Sequence, residues 1–564
     1  MAMRAQTAVL LAFALVAALS APQAATPPPV TAAATPAASA VDAAIVHLLN
    51  RTGYGPRPGD VERVREMGLQ KYIDEQLHPE RIADRGMDAR LSRLVTVKLS
   101  SHDIAERYER PQIEERRRRQ MEAARNPQAQ QPPNQDLPNP DQMTPEMRRA
   151  ARGGMPPQPG QVVMIELQEQ KLLRAVYSER QLEEVLTDFW FNHFNVDARK
   201  GRVRFLLTEY ERDAIRPHVL GKFRDLLGAT AKSPAMLFYL DNFQSVDPNA
   251  AAARGRGRWP AVGVGGPRGR GGFNMPMPQR PPQAQNAPRG LNENYGRELM
   301  ELHTLGVDGG YTQKDVTEVA RAFTGWTIDN PRLGGGFHFN ARLHDNRQKN
   351  VLGHAIKAGG INDGEEVLDI LASHPSTARF ISTKLARRFV SDSPPAALVD
   401  RLAAKFASTN GDIRQVMYAL LTSSEFQSPE AYRAKVKTPL EFMVSAVRAT
   451  GADVVTARPL VNGMQQLGMP LYQCQPPTGY KDTADAWTNT GALVSRMNFA
   501  TMLATNPQLG MNEGQLQALG AGDALIDAIL HGHASDTTRS TVATAQTAPQ
   551  MLALALGSPE FQRR

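Results

Sequence analysis

Residues 292–306 read Asn-Glu-Asn-Tyr-Gly-Arg-Glu-Leu-Met-Glu-Leu-His-Thr-Leu-Gly, a pattern typical of an amphipathic helix that ends at a glycine. One face carries leucines three positions apart, at Leu299, Leu302 and Leu305. The opposite face carries a polar stripe, because residues three and four positions apart are neighbours on a helix. The stripe consists of Asn294, Arg297, Glu298 and Glu301.

Helical periodicity continues outward from this stretch in both directions. It predicts helices over residues 60–67, 69–77, 162–177, 181–193, 208–220, 222–230, 312–323, 364–372, 377–390, 396–408, 412–422, 439–450, 455–467 and 488–504. Residues 326–352 interrupt the pattern with aromatic, β-branched and glycine residues, which predict a small sheet of two or three strands. The predicted fold is therefore mainly α: one large helical domain over residues 41–564 with a small β-sheet near 325–353.

Two low-complexity segments interrupt the helical pattern, at about 126–159 and 248–288. Both contain too few apolar residues to offset the entropy of ordering them, so we expect two disordered insertions. Seven arginines and no acidic residue lie between Pro248 and Gly290. Subtracting their charge from the net +8 leaves +1 for the rest of the chain. Most of the net positive charge therefore lies in one insertion and says little about the function of the helical part.

The first 25 residues have the pattern of a cleaved signal peptide: a basic start at Arg4, an apolar run over 7–19 and small residues after it. The run is shorter than the roughly 20 residues that span a membrane, although an uncleaved anchor is the alternative. Residues 26–40 form a Pro/Ala/Thr spacer that we expect to be disordered. Without a twin-arginine pair, the pattern favours Sec export to the periplasm or the medium. The single cysteine, Cys474, excludes an intramolecular disulfide and a Cys-based zinc site.

Several motifs together resemble a bacterial family named domain of unknown function 1800. The strongest is residues 292–307, which continues to Ala-Arg-Ala-Phe-Thr-Gly-Trp at 320–326. Shorter matches lie at 47–56, 190–194, 344–353, 374–375 and 487–500. The resemblance implies exported bacterial proteins without an assigned activity, often encoded beside sulfatase-like proteins. It supplies no mechanism, so function has to be inferred from the residues.

Two groups of residues are candidates for catalysis. Arg297, Glu298 and Glu301 could form a cation-binding or acid–base stripe, the alternatives being a solvated face or an Arg–Glu pair between helices. His193 lies among four aromatic residues in Phe-Trp-Phe-Asn-His-Phe at 189–194. It is either a hydrogen-bonded core histidine or a base in an apolar cavity.

His344 and Asp345 are the candidate metal ligands, because neutral imidazole and carboxylate both donate lone pairs to divalent metals. The alternative is a turn stabilised by the Asp345 side chain. We predict that His193, Arg297, Glu298, Glu301, His344 and Asp345 converge on one polar cavity. A divalent metal is compatible with that set.

Two function classes fit the sequence. The first is a hydrolase or metal-assisted enzyme acting on an extracytoplasmic substrate. The second is a non-enzymatic scaffold that binds a partner, such as the sulfatase-like protein that the resemblance implies. No Walker loop, Rossmann fingerprint, Gly-x-Ser-x-Gly elbow or His-Glu-x-x-His motif is present. Export argues against a nucleic-acid partner, so anionic surface polymer or lipid headgroups are the expected contacts of the arginine-rich insertion.

Overall fold

The computed structural model describes residues 40–125, 159–249, 290–509, 511 and 513–564. The signal-like segment, the spacer up to residue 39 and nearly all of both low-complexity segments lie outside the described residues. The predictions made for those segments therefore stay predictions.

Helices dominate the described chain, which confirms the mainly α fold class. Before the second gap they are α1 (Ala40–Thr52), α2 (Asp60–Met67), α3 (Leu69–Leu77), α4 (Met87–Leu91), α5 (Ser101–Ile104), α6 (Arg110–Arg125), α7 (Pro159–Tyr177), α8 (Gln181–His193), α9 (Leu207–Glu209), α10 (Phe223–Lys232) and α11 (Pro234–Tyr239). After it they are α12 (Glu293–Glu301), α13 (Gln313–Ala322), α14 (Ile361–Ser373), α15 (Pro375–Phe389), α16 (Ala396–Ser408), α17 (Ile413–Leu421), α18 (Pro439–Ala449), α19 (Arg458–Gln466), α20 (Thr490–Thr505), α21 (Glu513–Ala518), α22 (Asp523–Leu530), α23 (Asp536–Ala543), α24 (Ala548–Gly557) and α25 (Pro559–Gln562).

Local signals fix several helix boundaries as the sequence predicts. Gly68 separates α2 from α3 and has a φ of +88°, a conformation that L side chains rarely adopt. Thr312 and Asp315 form a reciprocal capping box that starts α13. Thr438 starts α18 in the same way, with Pro439 at the first helical position.

Two predicted helices differ from the structure. Residues 208–220 form the short α9, a π-helical turn (Tyr210–Ile215) and a 3₁₀ turn (Arg216–His218) instead of one helix. Pro217 has no N–H to continue the α-helical ladder, which explains the change at this end. The predicted helix 292–305 ends at Glu301, because the N–H groups of Leu302 and His303 both bond to the carbonyl of Glu298.

The predicted small sheet is two separate hairpins. β1 (Trp326–Ile328) pairs antiparallel with β2 (Phe337–Phe339), with Thr327 opposite His338. β3 (Lys349–Val351) pairs antiparallel with β4 (His354–Ile356), so the strand region extends beyond residue 353. The periodicity also predicts neither α6 nor the helices after α20. α6 buries none of its side chains, so an apolar stripe could not reveal it.

One continuous apolar core runs through the described helices, from Ile45 in α1 to Phe561 in α25. Trp190 of α8 lies inside it with no exposed surface, and its indole N–H donates to the carbonyl of Val219. This packing fixes α8 against its neighbours and places the last turn of α8 beside α15. Among the residues described, no helix combines the length and apolar character of a membrane span.

Candidate functional site

A cavity of about 420 Å³ opens where α8, the end of α12, α15 and the start of α18 meet. The segment 469–483 closes one side of it. The cavity is large enough for a small organic molecule, since such sites span roughly 300–1,000 Å³. His193 and Glu301, two of the predicted site residues, line it.

His193 lies in the last turn of α8 and is buried against the rings of Trp190 and Phe194. Its Nε2 is 3.1 Å from the carbonyl oxygen of His303, which can only accept, so Nε2 carries the proton. Nδ1 is therefore free to accept a hydrogen bond from Nζ of Lys384, 2.8 Å away. Burial, followed by the charge of Lys384, lowers the pKa of His193 well below its ordinary value. The imidazole is thus neutral, with its tautomer fixed.

Lys384 lies in the middle of α15 and forms no ion pair with any described carboxylate. Burial lowers the pKa of this lysine to about 8; Asp482 partly offsets that effect and Arg387 adds to it. A substantial fraction of the amine is therefore neutral near physiological pH. The neutral amine can accept a proton, whereas the ammonium of a lysine in an ion pair cannot.

Glu301, at the end of α12, lines the wall of the cavity formed by that helix and is half-buried. Its carboxylate accepts a 2.7 Å hydrogen bond from the Tyr311 hydroxyl. Burial, followed by this hydrogen bond, raises the pKa of Tyr311 to about 12. No ion pair to Glu301 forms within the described part of the chain. Burial, then the neighbouring Glu301, raises the pKa of Glu298.

The predicted convergence of six side chains on one cavity is wrong for His344 and Asp345, and it is incomplete for the stripe on α12. Arg297 donates to Gln313, 2.7 Å away, and neither Arg297 nor Glu298 lines the cavity. The polar stripe of α12 splits because the helix turns Glu301 inward and Arg297 toward α13.

His344 and Asp345 belong to a separate buried cluster, referred to below as the Lys349 cluster. His344 Nε2 lies 3.0 Å from the carboxylate of Asp363, and Lys349 contacts the same carboxylate. Asp345 is held by Arg347 and, at 2.8 Å, by Arg321. Burial tends to raise the pKa of Asp345, but the bonds from Arg347 and Arg321 outweigh it and lower that pKa. These partners account for both side chains without a metal.

Metal binding by His344 and Asp345 stays a prediction. Within the described ranges, no three or more histidine, cysteine, aspartate or glutamate side chains are grouped so that they could hold a metal ion. A metal held by His344 and Asp345 would need further ligands from outside the described side chains or from solvent.

Most other charges around the cavity are already paired. Asp188 is 2.9 Å from the buried Lys171. Asp482 lies 3.5 Å from both Arg388 and Lys435. At the rim, Lys481 is exposed and lies 3.7 Å from Asp485. Lys384, Arg387 and Glu301 are the charged lining groups without an ionic partner among the described residues.

Two hydrogen bonds of the Asn192 side-chain amide hold the segment 469–483 against α8. Asn192 donates from Nδ2 to the carbonyl of Tyr480 at 2.8 Å and accepts from the Tyr480 N–H at 2.7 Å. Gly479, next to it, has a φ of +75°, and a Cβ there would collide with the carbonyl oxygen of Asn192. The close contact of the segment with α8 therefore requires glycine at this position.

Sequence reasoning missed Lys384 and Arg387. They lie in the predicted helix 377–390, whose basic residues look like an ordinary solvated face. The pairing of Lys384 with His193 joins positions 191 residues apart, so no local motif records it. The sequence feature that could have indicated them is their three-residue spacing, which places both side chains on one face of the helix.

A protein-family model described as "Protein of unknown function (DUF1800)" matches residues 47–563. The chain belongs to this family. The match covers the helical part from α1 to α25, including both walls of the cavity. No curated protein and no solved structure matches the chain.

Proposed function

We propose that this DUF1800 protein is a hydrolase whose active site is the cavity between α8, α12 and α15, with Lys384 as its proton acceptor. The observation that carries the proposal is the Lys384–His193 pair, in which a lysine faces a cavity and a neutral histidine instead of a carboxylate. Ordinary ion-paired lysines stay protonated at neutral pH and cannot serve as bases.

The pKa of Lys384 suits general-base chemistry, because an effective base titrates near the working pH. In the proposed reaction, the neutral amine takes a proton from water as the water oxygen attacks the acyl carbon of an ester or amide. The resulting ammonium then returns that proton to the departing alkoxide or amine. The step needs no other co-reactant.

His193 is a positioning residue in this scheme. Its Nδ1 accepts one N–H of Lys384, and its Nε2–H is fixed by the carbonyl of His303. The lone pair of the neutral lysine is thereby directed away from the imidazole. Because the pKa of His193 is well below its ordinary value, the imidazole does not compete for the proton.

An extracytoplasmic setting for the reaction is part of the proposal and is supported by the sequence. The signal-like first 25 residues support an extracytoplasmic substrate, in the periplasm or the medium. The arginine-rich segment before Gly290 would hold the protein on anionic polymer or lipid headgroups.

The test is turnover by the purified chain of a panel of p-nitrophenyl esters and aminoacyl p-nitroanilides. We expect Lys384→Met to lower the rate by at least roughly 100-fold, the lower range of a general base. The rate of the unaltered protein should rise with pH and level off above about 8, because the neutral form of Lys384 is the active one.

Lys481→Met is the matched control, since it removes an exposed lysine from the rim of the same cavity. It should keep the rate of the unaltered protein. Equal rates for Lys384→Met and the unaltered chain would contradict the proposal. Absence of turnover across the panel would also contradict it and would favour the scaffold alternative.

A further inference from the structure

The charged cavity residues that have no ionic partner in the described part of the chain differ in sign and lie on different walls. Glu301 is at the end of α12, whereas Arg387 and Lys384 are on α15. Glu301 forms no ion pair with either cation, so its carboxylate is more than 4.0 Å from both. A buried or half-buried charge without a partner is costly, unless a ligand supplies the opposite charge.

Arg387 is equipped to bind an anion. Its Nε donates to the carbonyl of Asp392 at 3.2 Å, which orients the guanidinium. The structure shows no described carboxylate paired with it. A guanidinium presents parallel N–H groups that match the two oxygens of a carboxylate. The neighbouring Arg388 differs, because Glu441 and Asp482 already hold it.

The cavity lining also includes large apolar side chains. Phe189, Phe380 and Met469 line the cavity along with its polar groups. Phe189 belongs to α8 and Phe380 to α15, so apolar contacts are available on two walls. A ligand that fits this lining therefore needs an apolar body with a charged group at each end.

We infer that the cavity binds a zwitterion of the size of a short peptide, with its carboxylate on Arg387, its ammonium on Glu301 and apolar side chains against Phe189 and Phe380. The inference rests on the proposed function, for which it names the substrate class. In this arrangement Arg387 binds the carboxylate and Glu301 binds the ammonium, so Lys384 stays available for proton transfer. Arg387 and Glu301 each gain an ionic partner that no described residue supplies.

The experiment measures binding without hydrolysis, by isothermal titration calorimetry in the full chain carrying Lys384→Met. Lys384→Gln serves as a second background should the first fail to fold. The probes are the dipeptide Leu-Phe, its N-acetyl form and its C-terminal amide. Each blocked form removes one charge from the ligand and leaves the apolar body unchanged.

We expect Leu-Phe to bind, and Glu301→Gln to weaken that binding roughly tenfold or more, the effect of a charge-assisted hydrogen bond. Glu301→Gln should leave binding of the N-acetyl form unchanged. Arg387→Gln should weaken Leu-Phe and the N-acetyl form by a similar factor and leave the amide unchanged. Glu293→Gln on α12 and Arg379→Gln on α15 are the matched controls, because neither side chain lines the cavity.

Equal affinities for all three probes, or no binding of Leu-Phe at 10 mM (about 100 times a typical 0.1 mM substrate constant), would overturn the inference. If the inference fails in this way but the unaltered chain still hydrolyses esters or anilides, the proposed hydrolase function is retained. Charge-selective binding without turnover would instead retain the ligand class and reject the hydrolase.

Discussion

Two of the described lysines, Lys349 and Lys384, lie beside a histidine, and the two pairs differ in their surroundings. In the Lys349 cluster the lysine contacts the carboxylate of Asp363 and lies 3.4 Å from His344 Nε2. At the cavity Lys384 contacts His193 and no described carboxylate. Lys349 has a buried counter-charge and no exposed side-chain surface. Lys384 lines the cavity and pairs with no described carboxylate. We propose that the presence of a carboxylate partner, more than the lysine–histidine contact itself, distinguishes the structural cluster from the proposed reactive pair.

The largest expected effect comes from breaking the Lys349 cluster. Lys349→Met leaves the buried carboxylate of Asp363 without its ammonium partner, and both side chains have no exposed surface. Removing one partner of a buried pair costs about 3–5 kcal/mol of unfolding free energy. Urea unfolding at pH 7 measures it. Lys384→Met should keep or raise the unfolding free energy at pH 7, because it removes a buried amine whose charged form burial disfavours. An equal loss in both variants would remove the distinction between the two sites.

A smaller effect is expected from loosening the segment that closes the cavity. Gly479→Ala places a Cβ against the Asn192 carbonyl in a left-handed backbone conformation. The strain should cost about 1–3 kcal/mol of unfolding free energy. The displaced segment should also admit water and move the pKa of Lys384 back toward its ordinary value. A variant with unchanged unfolding free energy and an unchanged Lys384 pKa would show that the segment does not seal the site.

The pH dependence of stability should distinguish the two regions further, with a still smaller effect. The folded pKa of Asp345 is lowered, so its contribution is complete above its unfolded pKa of about 4 and is lost as the pH falls below that value. The unaltered chain should therefore lose more unfolding free energy between pH 5 and pH 3 than Asp345→Asn does. Parallel pH profiles for the two proteins would mean that Asp345 is not held as an ion.

The fold was largely predictable because its signals are local. The apolar pattern of α8 predicts its bounds, 181–193, as the structure has them, and the capping box at Thr312 marks the start of α13. The hairpins were predicted less well, since a run of aromatic and β-branched residues indicates strands without specifying which of them pair. The exposed α6 has no apolar face, so hydrophobic periodicity could not reveal it.

The candidate site was predictable only in part, because it depends on contacts between distant segments. His193 stood out through its aromatic neighbours, and Glu301 through the polar stripe of α12. Lys384 had no comparable feature in the sequence. Neither Lys384 nor Arg387 pairs with a described carboxylate, whereas the adjacent Arg388 is buried against Glu441. Arg388 meets its carboxylate on α18, more than 50 residues further on, whereas Arg379 meets Asp400 on α16. For the same reason His344 and Asp345 could not be assigned to Asp363 and Arg321 from their own loop.

Burial lowers the pKa of Lys384 to about 8, and no described carboxylate pairs with it to restore the ordinary value. ¹³C NMR of the reductively methylated protein measures this pKa, with Lys384→Gln used to assign the Lys384 signal and Lys481→Gln as the control. We expect a titration midpoint of about 8 for Lys384. We also expect the unfolding free energy to rise with pH between about 8 and 10.5 in the unaltered chain relative to Lys384→Gln, because the unfolded lysine holds its proton over that range. A Lys384 midpoint near the ordinary value of about 10.4 would show that burial does not lower its pKa and would remove the proposed base.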